Sequence, residues 1–277
     1  MSVGELAPES GSVPELWGSA PVYLVLADLR FSPVQLMSKY IDEIQELMRQ
    51  GGYPEYKKGD VTRLFFGERD GQEPELERTD RWVFTNSADT SQFILTTSSL
   101  VFQTTEYCGH ESFFDQTIFG AGIIKGSVKP ASMHRVGLRY LDAIWPTAEH
   151  RVSDYLNAGL VGIELSQPFE SSFSQSEYRF DLDGIASTLV LRVFQADSTL
   201  RLPPDLGPLD LELATRFQYE HGQRHCVLDV DHFSESISNF DSHLIRDSLS
   251  KLHGKISFAF LDSVTEFAQQ QWKGGDK

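Results

Sequence analysis

The clearest chemical signal in the sequence is a pair of arginines in the strand-like run Met133 to Pro146. Arg135 and Arg139 lie four positions apart, with Gly137 halfway between them. Because successive side chains of a strand alternate between the two faces of its sheet, these three residues share one face. Two forked guanidinium groups beside an unhindered backbone can bind a carboxylate or a phosphate. We therefore treat Arg135 and Arg139 as candidate ligand-binding residues.

A third arginine occupies a comparable position near the N-terminus. Arg30 lies in the segment Leu26 to Pro33, where another strand-like run leads into a helix-start signal, so it is the counterpart of Arg139. These arginines also have a structural interpretation, because a chain with 40 acidic side chains offers carboxylates on neighbouring strands. The sequence leaves both anion binding and internal ion pairing open.

Two aspartates form the second group of candidate site residues. Asp229 and Asp231 alternate onto one face of a predicted strand, and His225 and His232 are close in sequence. Two carboxylates and an imidazole can hold a divalent metal. However, His232 has the opposite parity to both aspartates, so a regular strand directs it to the other face. We expect the aspartates to pair with strand arginines, and we predict no metal site and no cofactor.

Familiar catalytic motifs are missing from the sequence. It contains no P-loop, no Gly-x-Ser-x-Gly elbow, no Gly-x-Gly-x-x-Gly fingerprint and no His-Glu-x-x-His motif. No residue is therefore assigned a catalytic role. The sequence favours a binding protein over an enzyme.

The net charge and the number of cysteines limit which partners and which cellular compartment are expected. The net charge of −16 repels phosphate backbones and anionic lipids, whereas it attracts a basic protein. No apolar run approaches the roughly 18 to 20 residues needed to cross a bilayer, and the N-terminus lacks a signal-peptide pattern. Cys108 and Cys226 are too few for a disulfide framework. We expect a cytoplasmic protein without nucleic-acid or membrane partners.

Two similar halves must position these residues. After a flexible lead-in over residues 1–20, residues 21–130 and 131–277 each read as a strand, a helix, four strands and a second helix. In the first half the four strands are predicted at 61–68, 81–86, 91–97 and 100–107. In the second half they are predicted at 169–182, 187–195, 209–219 and 225–233, followed by one long helix from Asn239 to Trp272.

This pattern predicts an α+β fold. An antiparallel sheet with one apolar face needs helices to cover that face, and each half supplies two. Joining the halves edge to edge gives a curved, mostly antiparallel sheet with helices on one face, similar in topology to TATA-binding-protein-like or helix-grip folds. The arginines then lie on the open face, near the junction of the halves.

Most of the chain resembles a known family. The run Arg135-Val136-Gly137-Leu138-Arg139-Tyr140, with Trp82-Val83-Phe84 and Tyr107 upstream, is similar to a sporadically distributed bacterial family of uncharacterised proteins. The resemblance covers most of the chain, and the six-residue run is its most specific part. It brings no activity, cofactor or site residue with it. The sporadic distribution implies a defence- or toxin-linked setting.

Two functions follow from these observations. The first is a non-enzymatic binding protein of immunity or antitoxin type that engages a basic protein, and the charge and the missing motifs favour it. The second is a sensor or enzyme that holds a small anion in an arginine-lined cleft between the halves, at Arg30, Arg135 and Arg139.

Overall fold

The computed structural model describes residue 17 and residues 19–65, 75–147, 149–163, 171–182, 186–200, 202–207, 209–218 and 222–273; of residues 61–65 and 75–78 it describes only the backbone. These residues form one nine-stranded antiparallel sheet and five α-helices, which confirms the α+β class. Residues 1–16 and 18 of the predicted lead-in lie outside the described residues. No helix in the described ranges is long and apolar enough to cross a membrane.

The first part of the chain contributes five strands and two helices. They are β1 (Val22–Phe31), α1 (Ile41–Gln50), β2 (Glu55–Phe65), β3 (Glu75–Thr85), β4 (Ser91–Leu95), β5 (Ser99–Thr104) and α2 (His110–Ser127). The second part contributes four strands and three helices. They are β6 (Met133–Ile144), α3 (Val152–Tyr155), β7 (Phe173–Asp181), β8 (Ser187–Ser198), β9 (Gln223–Ser238), α4 (Ser242–Ser263) and α5 (Glu266–Lys273).

The strand order across the sheet is β2-β3-β4-β5-β1-β6-β9-β8-β7. The first strand of each predicted half therefore lies in the middle, where β1 and β6 pair antiparallel and Arg30 is opposite Arg135. On the other side of β6, β9 pairs with Arg139 opposite Asp231. This register places the candidate arginines and aspartates side by side on adjacent strands.

The main hydrophobic core lies between the sheet and the helices. From β1 it takes Val25, Ala27, Leu29 and Phe31, which alternate onto one face, while α4 contributes residues at helical spacing. The buried residues of α4 are Ile245, Leu249, Leu252, Ile256 and Ser263. Because α4 packs against β6 and β9, it fixes the centre of the sheet from the helical side.

The predicted strand at 209–219 is wrong. Its described residues, 209–218, contain a 3₁₀ turn at Thr215–Phe217 and no strand, so the second half has one strand fewer than the first. A cluster on the face opposite the helices instead joins Tyr23, Leu141 and Val227 to Phe217 and to five leucines, which are Leu200, Leu202, Leu206, Leu209 and Leu213. The apolar pattern of this sequence therefore reflects burial against the sheet and not strand pairing. We call residues 199–218 the covering segment, because they partly cover the sheet face that was expected to be open.

The long C-terminal helix is interrupted. Val264 is extended, with φ −114° and ψ 150°, and forms a bridge with Leu156. The backbone N–H of Thr265 donates to the carbonyl of Tyr155 at 2.9 Å, and its hydroxyl accepts from the N–H of Ala268 at 3.2 Å at the start of α5. A tertiary contact therefore ends α4 inside a continuous helical pattern.

Other predicted boundaries also differ. Ser32 does not start a helix, because its hydroxyl accepts the N–H groups of Ala131 and Ser132 and α1 begins only at Ile41. The first predicted helix of the second half is reduced to the four residues of α3 and a 3₁₀ turn. The strands β2 and β3 begin earlier than predicted. The sequence did not indicate the additional residues, because they carry no apolar alternation, and those of β3 before Trp82 pair only with β2.

Candidate functional site

The predicted arginines and aspartates lie together on the sheet face opposite the helices. Arg139 is only 4% exposed, and Asp229 is fully buried beside it. The Nε and Nη2 atoms of Arg139 donate to the two carboxylate oxygens of Asp229, both at 2.7 Å. Asp205, on the 3₁₀ turn Pro204–Leu206 of the covering segment, accepts from Nη1 at 2.5 Å and from Nη2 at 3.1 Å. The guanidinium group is thus held between two carboxylates.

The electrostatics of this group follow from that pairing. Burial alone would lower the pKa of Arg139, but the hydrogen bonds and charges of Asp229 and Asp205 outweigh it and raise the pKa. Burial alone would raise the pKa of Asp205, but its hydrogen bonds with Arg139 outweigh this effect and hold the pKa of that carboxyl below its usual value. Both partners therefore stay ionised at neutral pH.

Arg135 is surrounded by weaker partners. Its guanidinium lies 3.7 Å from the ring centre of Phe233, and its Nη1 donates to Glu235 at 3.2 Å. The carboxylates of Asp28 and Asp231 are 3.8 and 4.0 Å away. Arg135 is therefore stacked and paired within the sheet face, without the two-pronged contacts of Arg139.

The remaining candidates lie at the edges of this network. Arg30 is 49% exposed and donates to Asp28 at 2.8 Å. Burial raises the pKa of Asp231, although the nearby charges of Arg139 and Arg135 oppose it. His232 faces the helices, as its parity predicts, and lies 3.2 Å from the carbonyl of Leu252. Within the described ranges, no group of three or more His, Cys, Asp or Glu side chains could hold a metal ion.

A cavity on the helical side of the sheet was not predicted. Its volume is about 480 Å³, and it lies between β6, the start of α2 and the middle of α4. Because β6 alternates, Tyr140 and Asp142 face the helices and reach this cavity, while His253 and Phe260 face it from α4. Gly109, with φ +112°, lets the chain turn into α2 at the cavity wall. Small-molecule sites have volumes of this order.

Asp142 is the unusual group in this cavity. It is 5% exposed, and no described residue donates a hydrogen bond to its carboxyl group or forms an ion pair with it. Burial, followed by the charge of Asp229 across the sheet, raises its pKa from 3.8 to about 8. The carboxyl group is therefore mostly protonated at neutral pH when the cavity holds no ligand.

The side chains of Tyr107, Tyr140 and His253 near Asp142 are neutral at pH 7. The hydroxyls of Tyr107 and Tyr140 are 2.9 Å apart, and burial raises the pKa of Tyr107 to about 12 and that of Tyr140 well above its usual value. His253 stacks on His110 with ring centres 4.4 Å apart. Burial, assisted by His110, lowers the pKa of His253 to about 4. Of Asp142, Tyr107, Tyr140 and His253, Asp142 is consequently the group whose ionisation changes near physiological pH.

The rim of the cavity is polar and exposed. Cys108 and Glu111 both reach solvent there. Glu111 lies in the first turn of α2, where it accepts from Arg246 at 3.1 Å and contacts His110 at 3.2 Å. An acidic side chain at this position offsets the positive end of the helix dipole.

The sequence did contain a signal for this site. Asp142 occupies the same strand parity as Val136, Leu138 and Tyr140, so it is a carboxylate in the apolar register of a buried strand. Such a residue must find a partner or face a cavity. Which of the two applies depends on α2 and α4, which come from distant parts of the chain.

No protein-family model matches the chain, and no curated protein matches it significantly. The function must therefore be inferred from the geometry of its own residues.

Proposed function

We propose that this protein is a non-enzymatic binding protein that holds a small organic molecule in the cavity between β6, α2 and α4. The observation that carries the proposal is the buried carboxyl group of Asp142, which lines the cavity without a partner in the described protein. Leaving a buried polar group unpaired destabilises a fold by about 1 to 3 kcal/mol. A ligand that pairs with Asp142 removes this penalty.

The architecture supports this proposal. The strand order puts β1 and β6 at the centre, each beside the last strand of its own half, β5 or β9. We propose that the halves arose by duplication and form a TATA-binding-protein-like or helix-grip arrangement. In such an arrangement a long helix crosses a curved sheet and leaves space beneath it, and α4 borders the cavity in this way. The bacterial family resemblance of Arg135 to Tyr140 remains part of the proposal.

An anion site at the arginines has weaker support. The carboxyl group of Asp142 has no hydrogen-bond donor among the described residues, whereas Arg139 already donates to Asp229 and Asp205. An anion held by Arg30, Arg135 and Arg139 would have to displace Asp205 and the covering segment with it. Since Asp205 is tethered beside Arg139 by the chain, an incoming anion competes against a high effective concentration of carboxylate.

A basic protein partner is the second candidate function. The net charge of −16 supports it, and so does the edge strand β7, on which Phe173, Tyr178 and Phe180 are exposed. Exposed strand edges with apolar side chains are common sites of strand addition. The free thiols of Cys108 and Cys226 agree with a reducing compartment, and we propose a cytoplasmic, defence- or toxin-linked setting.

Equilibrium dialysis against a metabolite extract, read by mass spectrometry, tests the leading proposal. Ser257 lines the cavity on α4, so Ser257→Phe fills it, while Ser250→Phe adds the same ring at an exposed position of α4. We expect small molecules that are retained by the wild type and Ser250→Phe but lost by Ser257→Phe. Asp142→Leu provides a second cavity variant if Ser257→Phe folds poorly. Equal retention by every variant, or none by the wild type, would refute the proposal.

The protein-partner candidate needs a different experiment. The wild type and Phe180→Ser are used to capture partners from a host extract at low and high salt. A basic protein retained by the wild type at low salt, and lost both at high salt and with Phe180→Ser, supports this candidate. If the wild type retains no basic protein, the candidate is rejected.

A further inference from the structure

We propose that the ligand of this cavity is an organic cation, with a protonated amine paired to the carboxylate of Asp142 and an apolar or aromatic body along the cavity wall. This inference rests on the proposed binding function and adds the chemical class of the ligand. It is carried by three features of the cavity: its unpartnered acid, the sign of its lining charges and its aromatic wall.

The lining charges favour a cation. Asp142 and Glu111 are acidic, and no lysine or arginine is among the described residues that line the cavity. A buried carboxyl group surrounded by neutral groups has no internal cation to stabilise its ionised form. A ligand that brings a positive charge supplies that missing partner, and inside a cavity such an ion pair is stronger than in water.

The cavity wall is suited to the body of such a ligand. Trp17 and Phe260 line one part, with ring centres 5.9 Å apart, and Tyr107 and Tyr140 line another, with ring centres 5.4 Å apart in an edge-to-face arrangement. Aromatic faces attract organic cations as well as apolar groups. The lining itself offers a carboxylate or phosphate ligand no lysine or arginine, and the nearby Lys273 is already placed 5.3 Å from the ring centre of Trp17.

The start of α2 favours an anion, because a helix N-terminus carries partial positive charge. The partial positive charge at that end of α2 is already offset by Glu111, which lies in the first turn of the helix. Glu111 in turn lies within 3.2 Å of both Arg246 and His110, so the charges at the rim are paired with one another. Among the described residues that line the cavity, the Nε1 of Trp17 has no hydrogen-bond partner, and Asp142 is the acid without an ion pair.

Binding of a cation at Asp142 must release a proton. The free carboxyl group has a pKa of about 8, so only about one molecule in ten is ionised at pH 7. Affinity for a permanently protonated amine should therefore rise about tenfold per pH unit below pH 8 and level off above it. A neutral ligand that accepts a hydrogen bond from the protonated carboxyl group shows the opposite trend.

Other titratable groups face Asp142 and must be separated from it. The pKa values of Tyr107 and Tyr140 lie above this window, and that of His253 lies below it. Across the sheet, the charge of Asp229 acts on Asp142. The groups at the rim are Cys108, His110, Glu111 and Arg246. Because all of them remain in Asp142→Asn, the difference between this variant and the wild type isolates Asp142.

The experiment uses two amines, phenethylamine and tryptamine, with their neutral alcohols and carboxylate analogues as controls. Isothermal titration calorimetry between pH 6 and 9 gives the affinities, and buffers of different ionisation enthalpy give the protons released. We expect the amines to bind at least about tenfold more tightly than the alcohols at pH 8, with about 0.9 proton released at pH 7. In Asp142→Asn the amine should bind no better than the alcohol, without proton release.

The outcomes separate this inference from the proposed function. Alcohols or carboxylates that bind as tightly as the amines overturn the cation but leave the binding function standing. If none of these probes binds, the charge of the metabolites retained in the dialysis experiment decides: amines support the inference, and neutral or acidic molecules overturn it. No retained metabolite and no binding probe reject both.

Discussion

Replacing Asp142 with asparagine should stabilise the protein, and the gain should grow with pH. The folded state keeps a proton on Asp142 up to about pH 8, whereas an unfolded chain releases it near the ordinary value of 3.8. Between these two values the folded state binds more protons than the unfolded state, so the free energy of unfolding falls as pH rises. The asparagine variant has no such proton and does not lose this stability.

The magnitude follows from the pKa shift. The two values differ by about 4 pH units, and each unit corresponds to about 1.4 kcal/mol. The wild type should therefore lose about 5 kcal/mol relative to the variant between pH 4 and pH 8, with a slope of about 1.4 kcal/mol per unit in the middle of this range and about half of that at its two ends. This is a large share of the 5 to 15 kcal/mol that is typical of folded proteins.

Urea denaturation of both proteins at pH 4, 5, 6, 7 and 8 measures this difference. The difference between the two free energies of unfolding removes the contribution of the other acids, which titrate in both proteins. A difference that stays constant over this range would refute the reasoning, because it would mean that Asp142 is ionised and solvated in the folded state.

Three further substitutions test the packing around the two sites. Arg139→Met should destabilise the fold by about 2 to 4 kcal/mol in urea denaturation, because it leaves the buried carboxylate of Asp229 with only the longer 3.4 Å contact from Arg192. Arg30→Met at the exposed edge should change the stability by less than about 1 kcal/mol, and equal effects would contradict the burial of the pair. Asp205→Asn should lower the free energy of unfolding by only about 1 kcal/mol, because this carboxylate is 56% exposed. A loss as large as that of Arg139→Met would instead show that the covering segment is held in place through this contact. Gly120→Ala should destabilise the fold by about 1 to 3 kcal/mol, because the added Cβ would lie 2.3 Å from the ring of Phe93. Gly122→Ala in the same helix meets nothing within 4 Å, so it should stabilise the fold by about 0.5 to 1 kcal/mol. Thermal melts compare the two variants, and the reverse order would be inconsistent with this packing of α2.

Most of the placement of the candidate site residues could be predicted from strand parity. It placed Arg135 and Arg139 on one face of β6, and Asp229 and Asp231 on one face of β9, and the structure puts these faces side by side. The α+β class also followed from alternating apolar residues and helical spacing. These features depend on local periodicity, which a single sequence displays directly.

Elements fixed by distant contacts could not be predicted in this way. The covering segment is rich in leucine and looks like a strand, but its side chains pack on Tyr23 and Leu141, and its backbone joins no strand in the described ranges. Val264 looks helical, yet its bridge to Leu156 ends α4. The cavity at Asp142 depends in the same way on how α2 and α4 pack over β6. Propensity is a weak guide wherever tertiary burial decides the conformation.

The most direct test of this account is an NMR measurement of the side-chain carboxyl carbon of Asp142 at pH 7, with and without a saturating amine from the panel. In the free protein, this carbon should show the chemical shift of a protonated carboxyl group, with a titration midpoint near pH 8. Addition of the amine should convert this signal to that of a carboxylate. A carboxylate signal in the free protein, or a protonated signal that persists when the amine is bound, would contradict the central claim.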